Sequence, residues 1–208
     1  MIAYVLFSLT GVLAGACVSK LLALPKPSAA KRTEIYIAAA AGVLIGAKIP
    51  VWISYGFGSG LSFSGKSYLG GILGAFVALN IYKRFTRQAD AALGGRFAIP
   101  LAAAAGFGKI GCFFNGCCAG RNGIPVQLME SAFQFAMAGV LYLVYRRTAR
   151  IDILFPIYLA SYLAMRFCVE FLRTEPRLWL SLTIYQWLAI VFLPYVSWIL
   201  LQRRARNV

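Results

Sequence analysis

The sequence predicts an all-α polytopic membrane protein, a single bundle of seven transmembrane helices occupying residues 1–208. Three observations predict it. Hydrophobic residues make up 61% of the chain and charged residues 13%, too little polar surface for a water-soluble domain of this size. Mean hydropathy is +0.74. Seven apolar runs also approach the roughly 20 residues that a spanning helix needs, joined by connectors too short to hold a soluble domain.

The first run, about 2–23, has no side-chain cation before it, and Lys20, Lys26, Lys31 and Arg32 follow it. It therefore reads as a retained helix rather than a signal peptide, even though "LAGACVSK" around Cys17 hints at a cleavage box. The second run is 35–54, and the third, 67–84, leads through Lys83, Arg84, Arg87 and Arg96 into the fourth, 96–115. The fifth, 127–146, starts behind Pro125, which suits a helix start, and ends on Arg146 and Arg147 with Arg150 beyond. The sixth is 153–172, and the seventh, 183–202, ends before Arg203, Arg204 and Arg206. Cytoplasmic flanks retain lysine and arginine, so these basic ends share one side. The N-terminus then lies outside and the C-terminus in the cytoplasm.

The net charge of +15 does not indicate nucleic acid, because the cations are strung between apolar runs instead of clustered on a soluble face. Histidine is absent, which removes a histidine base, a Ser-His-Asp triad and the His-containing zinc signatures. The five cysteines, Cys17, Cys112, Cys117, Cys118 and Cys168, form neither a disulfide framework nor a zinc ribbon by spacing. No cofactor and no metal are expected.

Seven cations depart from the charge bias. Lys66, Arg121, Arg173 and Arg177 fall in outer loops or at outer helix ends, and Lys48, Lys109 and Arg166 fall inside spans. Each of the last three stands about six residues from its helix's outer end, roughly 9 Å below the rim at 1.5 Å per residue. A charge at mid-helix costs about 2.5–3.5 kcal/mol on insertion scales, so such residues line functional cavities. Three at one depth predict a shared anion site. In "MRFCVEFLRTEPR", Arg166, Glu170 and Arg173 are spaced i, i+4 and i+7 and share a helical face. Glu130 follows "IPVQLM", where Gln127 adds an amide. Either glutamate serves as an ion-pair partner or as a proton acceptor. Gly70 and Gly71 suit close helix packing, whereas the glycines near Asn115 and Arg121, Gly120 among them, let a loop approach an anion.

These stretches together resemble one family, the prolipoprotein diacylglyceryl transferases, seven-helix enzymes of the bacterial inner membrane. "SYLGG" at 67–71 is similar to the family's "SFHGG", and "GKIGCFFNGCCAGR" at 108–121 to its G-R-x-G-N-F-x-N-G-E-x-x-G-R signature. "IPVQLME" at 124–130 is similar to "HPSQLYE", "YLAMRFCVEFLR" at 162–173 to "YGxFRxxVEFFR", and Gln186 to a glutamine that starts the last helix. The resemblance places Arg166, Glu170, Asn115, Gly120, Arg121 and Glu130 at matching positions, with Lys48 and Lys109 standing in for arginines. The departures are Leu69 for the motif histidine, Cys112 for an asparagine, Cys117 for a glutamate and Met129 for a tyrosine. The anion site is thus kept and the acceptor half rebuilt.

The resemblance implies a transferase that takes an anionic glycerophospholipid such as phosphatidylglycerol from the periplasmic side. Lys109, Arg166, Glu170 and Glu130 are then the candidate catalytic residues. Lys48, Asn115, Gly120, Arg121, Gln127, Arg173, Gly70 and Gly71 are the candidate substrate contacts. The acceptor is a prolipoprotein cysteine or another periplasmic molecule, such as a glycan; a lipid-binding or lipid-moving protein without chemistry is the reading from a different class.

Overall fold

The computed structural model describes residues 2–22, 29–60, 64–87 and 94–205, so Lys26 and Arg206 of the cytoplasmic set lie outside the described residues. Seven long helices follow in order: α1 Ile2–Leu21, α2 Ala29–Tyr55, α3 Tyr68–Phe85, α4 Gly95–Phe114, α5 Val126–Thr148, α6 Leu154–Val169 and α7 Ile184–Ala205. Among the described residues there is no strand, only two isolated antiparallel bridges, Gly120 with Arg173 and Arg177 with Thr183. Six of the helices are long and apolar enough to cross a membrane; α3, which carries Asn80, Lys83 and Arg84, is not among the six. Among the described residues the chain is therefore all-helical, with six candidate spans where the sequence predicts seven. Large side chains such as Leu13 and Leu44 are each 70% exposed, as lipid-facing residues of spanning helices are.

The chain forms two compact units. One takes residues 2–22, 94–174 and 192–205, and the other takes residues 29–60, 64–87 and 175–191.

In the first unit α1 lies on α4, and Gly11 and Gly15 bring its backbone against Ala104 and Pro100. Phe7 stacks on Phe114 with ring centroids 5.3 Å apart. Helix α4 joins α5 through the edge-on pair Phe107–Phe135 and through Ser131, whose hydroxyl donates to the Gly106 carbonyl at 2.8 Å. Helix α6 is the most enclosed element: Leu154, Tyr158, Leu159 and Leu163 are fully buried, and Tyr158 stacks on Tyr162. At the end of the unit where α5 passes to α6, Arg150 forks onto Asp152 and donates to the Arg203 carbonyl, while Arg203 donates to the Asp152 carbonyl.

In the second unit α2 and α3 approach unusually closely. Gly42 and Gly46, four apart on α2, face Gly74 and Gly70, four apart on α3, so that a Cβ at any of the four would strike the partner's backbone. Small residues at this spacing let two helices pack backbone to backbone in a membrane. Ser67 caps α3, its hydroxyl accepting from the Gly70 N–H at 3.0 Å, and its own N–H donates to the Ala47 carbonyl at 2.9 Å. Leu69, where the family motif has histidine, is a core residue 2% exposed. Before α7, Thr183 and Gln186 bond reciprocally, each side chain accepting from the other's N–H, which is a capping box.

Candidate functional site

The site lies in the first unit, where the ends of α4 and α6 meet the first turns of α5. Helix α4 ends because Gly116 adopts φ +69, a left-handed conformation that costs glycine nothing. The Gly116 N–H then donates to the Phe113 carbonyl at 3.1 Å and the Cys117 N–H to the Cys112 carbonyl at 3.2 Å. This pair of bonds is a Schellman motif, and it folds residues 117–118 back over the last helical turn. The chain crosses to α5 through a single turn of 3-10 helix, Arg121–Gly123, and Pro125 stands at the start of α5 as its sequence position predicts. Gly120 pairs with Arg173, and a Cβ there would collide with Val126 and the carbonyls of Ile124 and Leu172.

Five charged side chains converge here. Glu130, wholly buried, accepts from Arg166 Nη1 at 2.5 Å and from Arg173 Nη1 at 3.4 Å on Oε1, and pairs with Lys109 Nζ on Oε2. Glu170 Oε2 meets Arg166 Nη2 at 2.9 Å and stands 3.9 Å from Arg173 Nε. Arg166 and Arg173 are each 5% exposed. Arg166 and Glu170 come from one helical face, but α6 stops at Val169 and a 3-10 turn, Glu170–Leu172, carries the chain to Arg173. That tightening turns Arg173 inward. The sequence places Arg173 at an outer helix end; the structure buries it in the cluster, because two carboxylates and the Cys118 carbonyl, at 3.1 Å, receive its guanidinium.

Three buried or half-buried cations therefore face two buried carboxylates, an excess of one positive charge. Each cation has a carboxylate partner, and the net positive charge of the cluster favours a further anion beside it. Around the cluster, exposed Arg121 donates through Nε to the Arg173 carbonyl at 3.1 Å. Gln127 donates through Nε2 to the Cys117 carbonyl at 2.7 Å, and its buried Oε1 accepts no hydrogen bond among the described residues. Asn115 is the exposed C-cap of α4.

Of the residues singled out in the sequence, Lys109, Glu130, Arg166, Glu170 and Arg173 are gathered into one cluster, with Gln127, Gly120 and Arg121 beside it. Lys48, Gly70 and Gly71 belong to the second unit. There Lys48 Nζ donates to the Gly65 carbonyl at 3.1 Å, Gly70 packs against Gly46 and Pro50, and Gly71 makes ordinary contacts with Val43 and Ala47. Sequence inspection missed the inward continuation of the polar face. Gln134 is fully buried one turn beyond Glu130 and accepts from the Tyr158 hydroxyl at 2.8 Å. The signal was available: Gln127, Glu130, Ser131 and Gln134 recur at i, i+3, i+4 and i+7 in an otherwise apolar helix. Among the described residues no group of three His, Cys, Asp or Glu side chains is arranged to hold a metal ion.

Comparison with known proteins adds the following. Residues 1–202 match the family model described as prolipoprotein diacylglyceryl transferase. The chain is similar to the phosphatidylglycerol–prolipoprotein diacylglyceryl transferase of Clostridium tetani, 34% identical over 97 residues, which is 37% of this chain and 39% of that protein. It is 32% identical over 149 residues to the transferase numbered 2 of Clostridium perfringens, covering 62% of this chain and 56% of that one. It is 27% identical over 155 residues to that of Dehalococcoides mccartyi strain 195, covering 61% and 58%. The matched segment thus spans between two-fifths and three-fifths of each relative's own length.

Proposed function

The chain belongs to the prolipoprotein diacylglyceryl transferase family, and from that premise we propose that it is a membrane transferase whose donor is phosphatidylglycerol or a similar anionic glycerophospholipid. In this reading the protein is a seven-span protein of the bacterial inner membrane, N-terminus periplasmic and C-terminus cytoplasmic, with the site opening to the periplasmic side. What carries the reading is the single excess positive charge among Lys109, Arg166, Arg173, Glu130 and Glu170. A phosphodiester bears one negative charge and neutralises it.

The same electrostatics serve the chemistry. An acceptor nucleophile attacks the terminal glyceryl carbon, the carbon–oxygen bond to phosphorus breaks, and glycerol phosphate leaves with one more negative charge than the diester carried. Lys109 and the two buried arginines stabilise that developing charge in a site of low dielectric, and Arg121 supplies a further cation at the mouth. Arginine meets phosphate as a fork and lysine as a point charge. Glu130 and Glu170 hold the three cations in place before the donor arrives, and one of them receives the acceptor's proton. Gln127 Oε1 accepts from a hydroxyl of the donor headgroup.

Phosphatidylglycerol liposomes containing the full chain and a lipobox peptide test this by mass spectrometry of the peptide. Addition of a diacylglyceryl group, lost with Arg166→Lys or Lys109→Ala by about 100-fold or more, is the expected result. The absence of histidine and the burial of Leu69 favour a second reading, transfer to a non-lipoprotein acceptor such as a glycan. It predicts an unmodified peptide together with a new envelope conjugate that disappears with the same substitutions. Phospholipid redistribution between leaflets with every covalent product unchanged would overturn both.

A further inference from the structure

Just before α7 the chain reverses without using a glycine, in the run "RLWLSLT" at 177–183. The reversal is closed by the antiparallel bridge of Arg177 with Thr183, by the Leu178 N–H donating to the Leu182 carbonyl at 2.7 Å, and by the Leu182 N–H donating to the Trp179 carbonyl at 3.1 Å. Arg177 Nη1 donates across it to the Ser181 carbonyl at 2.9 Å. At the tip Leu180 has φ 53 and ψ 31, and Ser181 has φ 56, two left-handed residues in succession and neither a glycine. A bulky side chain is a rare occupant of that region, where its Cβ crowds the backbone, so the bonds around the turn have to hold it there. The outcome is that Trp179 and Leu180 are held out together. Each is 81% exposed, whereas Thr183, Tyr185 and Gln186, a few residues on, are buried.

Two large apolar side chains presented side by side on a fixed turn mark a surface for an apolar partner. The depth of the turn identifies that partner. In the first turn of α7 the Trp187 indole N–H donates to the Trp179 carbonyl at 3.3 Å, so the tip lies against the start of the helix instead of standing out beyond it. The candidate span Ile184–Arg203 has 20 residues, about 30 Å at 1.5 Å per residue, which is the thickness of the hydrocarbon core. Its first turn therefore falls at the edge of that core, and the tip falls in the headgroup layer, about 5–7 Å deep on each face. Tryptophan is enriched at this level, where the ring meets apolar chains and its N–H meets polar groups. Exposed Arg177, at the base of the turn, adds a cation suited to lipid phosphate. We propose that Trp179 and Leu180 form an interfacial anchor, inserting among the lipid headgroups and fixing the depth at which α7 enters the bilayer. The partner is the lipid surface itself. The anchor depends on α7 crossing the membrane and not on any transfer chemistry.

The experiment uses the full chain in phosphatidylcholine–phosphatidylglycerol vesicles that carry a fluorescence quencher at one depth at a time: a headgroup nitroxide, bromine high on the acyl chain, or bromine near its end. The tryptophans are Trp52, Trp179, Trp187 and Trp198. The difference between the unaltered chain and Trp179→Phe isolates the tip, and the difference from Trp198→Phe isolates a residue in the body of α7. The emission of Trp179 should be quenched by the nitroxide and the high bromine, less by the deep bromine, and little by iodide in the water. That of Trp198 should be quenched by bromine on the chains. Leu180→Asn keeps the turn, because asparagine tolerates left-handed backbone, and removes the apolar contact. Measured with and without Trp179→Phe, it should shift the quenching of Trp179 from lipid to iodide. Quenching of Trp179 by iodide alone, with Trp198 still quenched by lipid, would overturn the anchor and leave the span standing. Loss of lipid quenching at both would overturn it together with the placement of α7 in the membrane. Strongest quenching of Trp179 by the deep bromine, or a Leu180→Asn profile identical to that of the unaltered chain, would also overturn it.

Discussion

Glu130 Oε1 receives Arg166 Nη1 at 2.5 Å although the two residues are 36 positions apart and belong to different helices. Lys109 and Arg173 reach the same carboxylate, which makes Glu130 the hub of the cluster. Removing one partner of a buried ion pair costs about 3–5 kcal/mol, because the other charge stays buried. Glu130→Gln takes a carboxylate from all three cations, the arginines keeping Glu170, whereas Lys109→Met leaves Glu130 with both arginines. Thermal unfolding in one detergent should show the larger loss for Glu130→Gln, near the top of that range. Equal losses would mean that Glu130 is not shared.

Gly70 and Gly71 are adjacent, but only Gly70 faces the α2 backbone. Overpacking a tight contact costs about 1–3 kcal/mol. Gly70→Ala and Gly74→Ala should therefore destabilise the protein by that amount, with Gly71→Ala close to neutral. If Gly71→Ala destabilised as much as Gly70→Ala, the packing account of this helix pair would fail.

The capping box before α7 gives a stability prediction independent of the charged cluster. Thr183→Ala and Gln186→Ala should each cost about 1 kcal/mol. The double substitution should cost less than their sum, because either single change already breaks the reciprocal pair. Chemical denaturation of the four proteins measures the coupling.

Alkylation of Cys118 by iodoacetamide should follow its thiolate fraction. Because the thiol is lowered to about 5, the rate should reach half its plateau near that pH and stay flat above it. An ordinary thiol reaches half-maximum near about 8.5. Cys112→Ala removes the neighbouring thiol that lowers the Cys118 thiol, so the midpoint should move up; a midpoint unchanged by Cys112→Ala would show that Cys112 does not control it.

The parts of this molecule that were legible in the sequence are those where a residue is costly in its local setting. Lys109 and Arg166 stood out because charge inside an apolar run needs a reason, and both are found on Glu130. That Glu130 serves three cations was not legible, since its partners come from α4, α6 and the turn after α6, and no local pattern records a tertiary meeting. Arg173 was read on the face of Arg166 and Glu170 and is found with them, although its depth was not legible because the backbone tightens into a 3-10 turn after Val169. Gln186 was noticed only as a family match. The T-x-x-Q spacing from Thr183 was a readable cap signal, and the structure gives that glutamine a local hydrogen-bonding role. The Gly42/Gly46 and Gly70/Gly74 spacings were equally readable, whereas the choice between Gly70 and Gly71 depends on helix rotation, which neighbouring glycines do not encode.

Among the described residues, three cations set against two carboxylates give this buried cluster a surplus of one cation. In the proposed function the phosphate of a lipid headgroup answers that surplus. On that reading membrane composition becomes a folding variable: a cell poor in acidic lipids would make a less durable form of the same polypeptide, before any question of turnover arises.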